Sequence, residues 1–505
     1  MPNASNLLLD RNVLAEELRI AQLVPEAHAA YRPLLMDGLL FFLERLSPPR
    51  LAQILAEQLK LPRAASPARR LVTLLRECPT LHKLGQVMAR DRRLAPELRA
   101  NLQWLESLEP TTPMGAINAV IERELGAVAG LEIAATALAE ASVAVVVPVI
   151  WRCFAGSAPQ AGVLKVLRPG VEEQMHEELE IWASLGVFLE ERCADHGLPA
   201  LDYRNTLDSV RKLLANEIRL DREQAHLARA AAFHADSPAV LIPGLLPFCT
   251  ARITAMDRVE GRKVTDPGLS AGERRRLART LIEAMIAKPF WSQAPDAAVF
   301  HADPHAGNLL VTRDGRLAIL DWALVTPLGK AQRIAVVQAV ACAATQDEAG
   351  LSRALAALGH PSDPATWRAA VAAGLRQVRQ GTFPGMDWLM ALLDRLGTAG
   401  AMQFAENLTL FRKALLTLSG VIGDVSGQPS IDEVLVMTGL AQFGREWPAR
   451  PFAPFASRAF GTHWSNADGF GLWAGWPLTV ARYWAGAWQD ALATGDPTSP
   501  PPSGR

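Results

Sequence analysis

Residues 301–325 read His301-Ala-Asp-Pro-His-Ala-Gly-Asn308, then Leu309-Leu-Val-Thr-Arg-Asp-Gly-Arg-Leu-Ala-Ile319, then Leu320-Asp-Trp-Ala-Leu-Val325. The Asp-Gly at 314–315 between two apolar runs predicts a β-hairpin, 308–311 against 317–320. That hairpin folds Asp321 back toward the loop carrying Asp303 and Asn308. Transfer of a phosphoryl group from a nucleotide needs hard oxygen ligands for a divalent metal and a carboxylate near the acceptor hydroxyl. Asp303, Asn308 and Asp321 supply those groups at suitable spacings. Two other readings stand beside this one. Asp303 before Pro304 and Asn308 after Gly307 are ordinary turn residues, and His301-x-Asp303-x-His305 has metallohydrolase-like spacing. The remaining histidines lie singly, mostly in helical segments.

Around this stretch lies a chain of 505 residues, half of them hydrophobic, with 51 basic and 52 acidic side chains. A net charge of -1 lacks the basic excess of a nucleic-acid binder, so no nucleic-acid partner is expected. Five scattered cysteines without a C-x-x-C suggest a reducing compartment. The N-terminus does not read as a signal peptide. The best transmembrane candidate, 133–151, contains Glu140 and Pro148 and reads instead as buried strand and loop. The expected location is cytoplasmic, with peripheral membrane contact as an option.

Helical periodicity dominates residues 1–125, broken at Pro48-Pro49, Pro62, Pro96, Pro110 and Pro113. The β-branched run Ser142–Trp151 and the segment Gly162–Leu167 read as strands. Val171–Cys193 and Leu207–Ala232 read as two helices, Ala239–Ile242 and Ala251–Met256 as short strands, Ala271–Ile286 as a helix, and 330–437 as helical. From Trp447 the chain becomes rich in Trp, Phe, Gly and Pro, and the last ten residues are expected to be disordered. Strands confined to the middle of a helical chain predict an α+β body.

The stretch 301–325 closely resembles the central motif of the UbiB-type (AarF-like) atypical protein-kinase-like family, the ubiquinone-biosynthesis accessory proteins. There it runs H-x-D-P-H-P-G-N, hairpin, D-F-G. Five further pieces follow the family's order. They are Lys83-Leu-Gly-Gln86 for K-x-G-Q, with Arg90, Leu94–Leu98 and Leu105–Pro110 after it; Ala139-Glu-Ala-Ser142 for the alanine-rich loop; Lys165 for the strand lysine; Glu217-Ile-Arg219 and Glu223 for E-x-D and its later Glu; and the hinge-like Ile253–Gly261. The resemblance implies a protein-kinase-like fold: a helical N-terminal extension (1–78), a K-x-G-Q helical insertion (79–130), a small strand-containing N-lobe (131–262), a mainly helical C-lobe (263–446) and a Trp-rich tail (447–505). Lysine scarcity adds an argument independent of the family. Only eight of the 51 basic residues are Lys, so two given basic positions would both be Lys roughly one time in forty, yet Lys83 and Lys165 both are. A compact ammonium serves phosphate or a buried carboxylate as a point charge, which a guanidinium does not.

The resemblance also implies roles. Lys165, oriented by Glu223, contacts ATP phosphates; Ala139, Ala141, Ser142 and Met256 line the nucleotide; Asn308 and Asp321 hold Mg²⁺; Asp303 is the catalytic carboxylate; Lys83, Gln86 and Glu217 belong to the insertion that covers the site. Glu223 has a rival partner in Arg219, four residues earlier on the same predicted helix face. Four departures stand out. Arg219 replaces the Asp of E-x-D, Glu140 puts a carboxylate where phosphates would be repelled, Val145 and Val147 replace Gln and His, and Ala323 replaces the Gly of D-F-G with its access to φ > 0. The expected activity is an ATPase or small-molecule or lipid kinase supporting isoprenoid quinone biosynthesis, with quinone precursors or a biosynthetic complex as partners. The alternatives are a nucleotide-binding scaffold of low turnover and an aminoglycoside- or choline-kinase-like phosphotransferase, whose Asp-Trp matches Asp321-Trp322. The six tail tryptophans 447, 464, 473, 476, 484 and 488 suit either packing on the body or a membrane interface.

Overall fold

The computed structural model describes residues 23–24, 26–88, 96–105, 110–154, 156–199, 202–294 and 298–494. The N-terminal stretch read for a signal peptide, Arg90, Leu94-Ala95, Glu106–Glu109 and the last ten residues lie outside them. Two compact units emerge, Met1–Arg229 with Pro243–Val259, and Ala230–Ile242 with Glu260–Arg505.

In the first unit the β-branched run becomes the strand Ala144–Trp151. One edge of it pairs antiparallel with Leu131–Ile133 and Ala139–Glu140; the other pairs with Gln160–Leu167, which pairs in turn with Ile253–Asp257. Side chains alternate across such a sheet. Val145, Val147, Val149, Leu164, Val166 and Ile253 pack with Ile117, Val120 and Ile121 of the helix Met114–Leu125. Lys165 sits opposite Val146 and Thr254 in register and has the opposite parity. The substitutions at 145 and 147 therefore fill core positions on the face away from Lys165, where a fully buried Val contributes about 1.5 kcal/mol or more.

The N-terminal helices Arg32–Arg45, Pro48–Leu59, Pro67–Glu77, Pro79–Met88 and Pro96–Trp104 build a second core with the long helix Val171–Asp195. Pro48, Pro67, Pro79 and Pro96 each open a helix, where the missing N–H costs nothing. A buried polar tie crosses this core. Glu178, fully buried, accepts from Arg50 at 2.5 Å and from the N–H and hydroxyl of Thr80 at 2.9 and 2.6 Å. Burial pushes its carboxyl above the ordinary range against the pull of these donors.

The single helix expected over 207–232 is two, Tyr203–Ala215 and Leu220–His234. The tight turn between them, with Glu217 N–H bonded to the Leu214 carbonyl and Arg219 N–H to that of Asn216, is where Glu217 leaves the helix line.

In the second unit Leu309–Thr312 and Leu317–Ile319 form the expected hairpin, extended by Gly261–Lys263 on one side and, in parallel, Val240–Leu241 on the other. Gly315 at the turn has φ 82°, which its missing Cβ permits. The short pairs Val299–His301 with Val325–Pro327, and Gly359–Pro361 with Met402–Phe404, lie in stretches not read as strand. Helices fill the remainder, so the chain is α+β as expected. The tail is tied down at its start. Fully buried Arg333 donates to the carbonyls of Leu328, Phe290 and Ala294, and His463 Nε2 meets the Phe290 carbonyl at 2.7 Å. Beyond it stand two helices, Asn466–Ala474 and Trp476–Thr494.

Three buried imidazoles make this fold acid-sensitive. Burial, its largest cause in each case, lowers His82, His234 and His463 to about 4. Between roughly pH 6.5 and 4 the unfolded chain binds protons that these residues refuse, so stability present in full above 6.5 is lost as pH falls. Thermal melts between pH 7.5 and 4.5 should show Tm falling mainly below 6.5; a flat profile across that window would contradict this account.

Candidate active site

In the first unit, the Lys165 ammonium lies 2.8 Å from both carboxylate oxygens of Glu223. Lys165 reaches it from the strand; Glu223 sits one turn into the helix Leu220–His234, with its side chain 3% exposed. Arg219 does not compete. It is exposed and makes a two-pronged pair with Asp221, at 2.9 and 2.8 Å. Lys83 pairs with Glu217 at 3.1 Å, both largely buried. Gln86 is engaged elsewhere: its amide donates to the Leu105 carbonyl at 2.9 Å and lies 3.3 Å from His82. Two of the eight lysines thus meet carboxylates of the same 217–223 segment, Glu223 buried and Glu217 half-buried.

The alanine-rich loop is the turn between Ala139–Glu140 and Ala144–Trp151, closed by Ala141 N–H to the Ala144 carbonyl. Ala139 and Ala141 are exposed and Ser142 is buried. Met256, half-buried, pairs with Val163 in the strand Ile253–Asp257. Glu140 is not a free carboxylate on this loop. It is buried, with Thr111 N–H at 2.6 Å and Thr112 N–H at 2.9 Å on one oxygen and Arg168 at 3.4 Å from the other. Burial opposes its charge, but the Thr112 and Thr111 amides and Arg168 outweigh that and hold its carboxyl below the usual range.

In the second unit one histidine ties the 301–323 loop together. His301 Nδ1 accepts from Asp303 N–H at 3.2 Å, and its Nε2 meets the Leu320 carbonyl at 3.1 Å. This ring spans the beginning of the loop and the residue before Asp321. The Asn308 amide donates to the Asp303 carbonyl at 3.3 Å, and the Leu320 N–H donates to the Asn308 carbonyl at 2.8 Å. Asn308 thus sits opposite Leu320, next to Asp321, while His305 Nε2 lies 3.7 Å from Asp303 Oδ2. In the sequence His301 stands as the first residue of the motif and as a rival metal ligand; its placement two residues before Asp303 was the available signal for a tie.

The concern over Ala323 dissolves. Among the described residues the non-glycine positions with positive φ are Asp321, Gln346 and His463, so 323 needs no glycine. The left-handed residue is Asp321, at φ 48°, a conformation Asp tolerates through local hydrogen bonding. Its Oδ1 accepts from Ala323 N–H at 3.1 Å. Trp322 is buried against His301, ring centroids 4.8 Å apart.

Among the described residues no three His, Cys, Asp or Glu side chains gather as a metal cluster. Asn308 and Asp321 offer hard oxygens, too few to hold a divalent ion without further ligands. That donor set suits Mg²⁺, which keeps waters and takes phosphate oxygens rather than an all-protein cage.

Residues 105–355 match the ABC1 atypical kinase-like domain. The chain belongs to the UbiB-type, or ABC1, atypical kinase-like family. Its fold is α+β and protein-kinase-like. Among similar proteins, the chloroplastic "activity of bc1 complex kinase 3" of Arabidopsis thaliana is 27% identical over 56% of this chain and 39% of its own length. The corresponding kinase 1 is 25% identical over 70% of this chain and 52% of its own. A probable protein kinase UbiB of Marinobacter nauticus is 26% identical over 50% and 46%. The chain thus spans about half the length of the curated relatives it matches. A solved Mycobacterium tuberculosis protein bound to erythromycin aligns with a TM-score of 0.49 at 17% identity, over 64% of this chain and 82% of that one. The Asp-Trp shared with aminoglycoside- and choline-type kinases therefore occurs here in an ABC1-type chain.

Proposed function

We propose that this chain binds Mg-ATP and either hydrolyses it or passes its terminal phosphoryl group to a small or lipid-like acceptor, in support of isoprenoid quinone biosynthesis. The observation that carries the reading is the Lys165–Glu223 pair, 2.8 Å to both oxygens, in a chain that also holds Asp303, Asn308 and Asp321 on one hydrogen-bonded loop. In this reading Lys165, held in place by Glu223, neutralises the α- and β-phosphates. Asn308 and Asp321 would hold Mg²⁺, which supplies charge neutralisation on the phosphates when bound. Asp303 accepts the proton of the attacking hydroxyl or water. Ala139, Ala141, Ser142 and Met256 line the nucleotide. The Lys83–Glu217 pair, with Gln86, fixes the insertion expected to cover the site, which favours a small acceptor over a peptide. The deciding assay is phosphate release from Mg-ATP with and without phenolic quinone-precursor mimics; no hydrolysis in any condition would leave the second reading. That reading is a nucleotide-binding scaffold, favoured by Arg219, which puts a solvent-exposed cation where the family has Asp.

The tail fits peripheral contact with anionic membrane. No described helix is long and apolar enough to cross a membrane. Yet Trp447, Trp473, Trp476, Trp484 and Trp488 are all strongly exposed, and only Trp464 is half-buried. Trp476, Val480, Trp484 and Trp488 recur every four residues along one helix, a stripe with an interfacial residue type. Between 436 and 488 Glu446 is paired with Arg450 and Asp468 with Arg458, while Arg482 pairs with Asp347 at 3.7 Å, so the segment itself carries four arginines against two carboxylates. Replacing Trp473, Trp476, Trp484 and Trp488 with Ser should lower cosedimentation with anionic phospholipid vesicles at least about tenfold. Equal binding by both forms would exclude docking through this face.

A further inference from the structure

Glu140 stands where the family's loop carries alanine, and its surroundings give the substitution a task. Its carboxylate is a hub for two stretches far apart in sequence. Oε2 accepts the N–H groups of Thr111 and Thr112 at 2.6 and 2.9 Å, and Oε1 accepts the Thr112 hydroxyl at 3.0 Å. These residues lead into the helix Met114–Leu125 at the end of the insertion. The third partner is Arg168, three residues beyond Lys165 on the same run of chain. While its Nε approaches Glu140 at 3.4 Å, its Nη1 donates to the Ser142 carbonyl at 3.2 Å, and its backbone N–H bonds the Val143 carbonyl at 2.9 Å. One buried carboxylate thus links the insertion, the alanine-rich loop and the strand that carries Lys165.

We propose that Glu140 is a positioning residue that clasps the 111–112 segment onto the alanine-rich loop and, through Arg168, sets that loop in register with Lys165 before nucleotide arrives. This rests on the Mg-nucleotide reading above. An alanine here cannot accept the two amides, and it leaves Arg168 without its carboxylate. The loop then samples other conformations, and binding must order it again at a cost in affinity. The chemical step uses other residues, so turnover at saturation should move little. The clasp is therefore a device for affinity, and the charge that looked repulsive is consumed in building it.

The test uses the full chain with Glu140→Ala and Glu140→Gln, the latter keeping an acceptor oxygen. Amide hydrogen exchange reports the clasp at Thr111, Thr112 and 139–144 without nucleotide; titration with Mg-ATP and steady-state turnover report its consequence. The expected result for Glu140→Ala is faster exchange at those amides, an affinity for Mg-ATP weaker by about tenfold and kcat within about twofold, with Glu140→Gln recovering part of the loss. Faster exchange with unchanged affinity would make Glu140 a structural staple alone and overturn the proposal. Tighter binding in Glu140→Ala would also overturn it, because repulsion would then outweigh positioning. Unchanged exchange would show that the clasp does not hold the loop. If the unsubstituted chain takes up no Mg-ATP, the nucleotide reading itself fails, and this proposal with it.

Discussion

Asp303→Asn and, separately, Asp321→Asn should each lower Mg-ATP turnover by about a thousandfold while leaving the fold intact. The choice of asparagine follows from what each residue's atoms do. Asp303 holds its loop through the backbone: its carbonyl accepts from Asn308 and its N–H donates to His301. Neither bond uses the carboxylate, and the carboxylate's approach to His305 Nε2 at 3.7 Å is one that an asparagine oxygen can keep, so the substitution removes the charge and preserves these backbone bonds. Asp321 is left-handed, at φ 48°, and its side chain accepts from Ala323 N–H. Asparagine tolerates that conformation and can keep the bond, whereas alanine would lose both advantages. Phosphate release measured at saturating Mg-ATP, beside melts showing Tm unchanged within experimental scatter, separates chemistry from stability. Unchanged turnover in both variants would remove Asp303 and Asp321 from the reaction. A chain with no turnover before substitution, but with Mg-ATP-dependent stabilisation, would instead be the scaffold.

The parts legible in sequence were those written in local periodicity or fixed spacing. The run 144–151, the Lys165 strand and the Asp314-Gly315 hairpin announce themselves through β-branched residues and a turn dipeptide. Three-residue strands such as Val299–His301 carry no period to detect, so their pairing with Val325–Pro327 was invisible until the chain was folded. Apolar periodicity ran through 207–232 and concealed the break at 216–219, because a one-turn interruption barely disturbs it. The helices of the tail were masked by Gly, Pro and Trp, residues with modest or poor helix propensity. Glu140 was misjudged for a different reason. Its neighbours in sequence are apolar, and the groups that satisfy it lie 28 and 29 residues away on both sides of the problem: Thr112 and Thr111 before it, Arg168 after it. Sequence spacing shows which charges exist; only the fold shows which are already paired.

Lys165→Met should abolish Mg-ATP-dependent thermal stabilisation, and the way it does so distinguishes a nucleotide contact from a structural ion pair. Lys165 holds the nearly fully buried Glu223 at 2.8 Å through both oxygens. Removing the ammonium takes a charged partner from that buried carboxylate, and breaking a buried pair costs about 3–5 kcal/mol unless the carboxylate takes up a proton. The single variant will therefore melt lower for reasons unrelated to ATP. The double variant Lys165→Met with Glu223→Gln removes the buried charge along with its partner, and its Tm should recover most of that loss. If Lys165 also serves the phosphates, the recovered protein will still gain nothing from Mg-ATP, because methionine supplies no point charge where an ammonium is needed. If Lys165 serves Glu223 alone, the double variant should regain the ligand-dependent rise in Tm along with its stability. Melting curves of the three proteins with and without Mg-ATP read both effects in one experiment, and a full ligand-induced shift in the double variant would sink the assignment of Lys165 to the nucleotide.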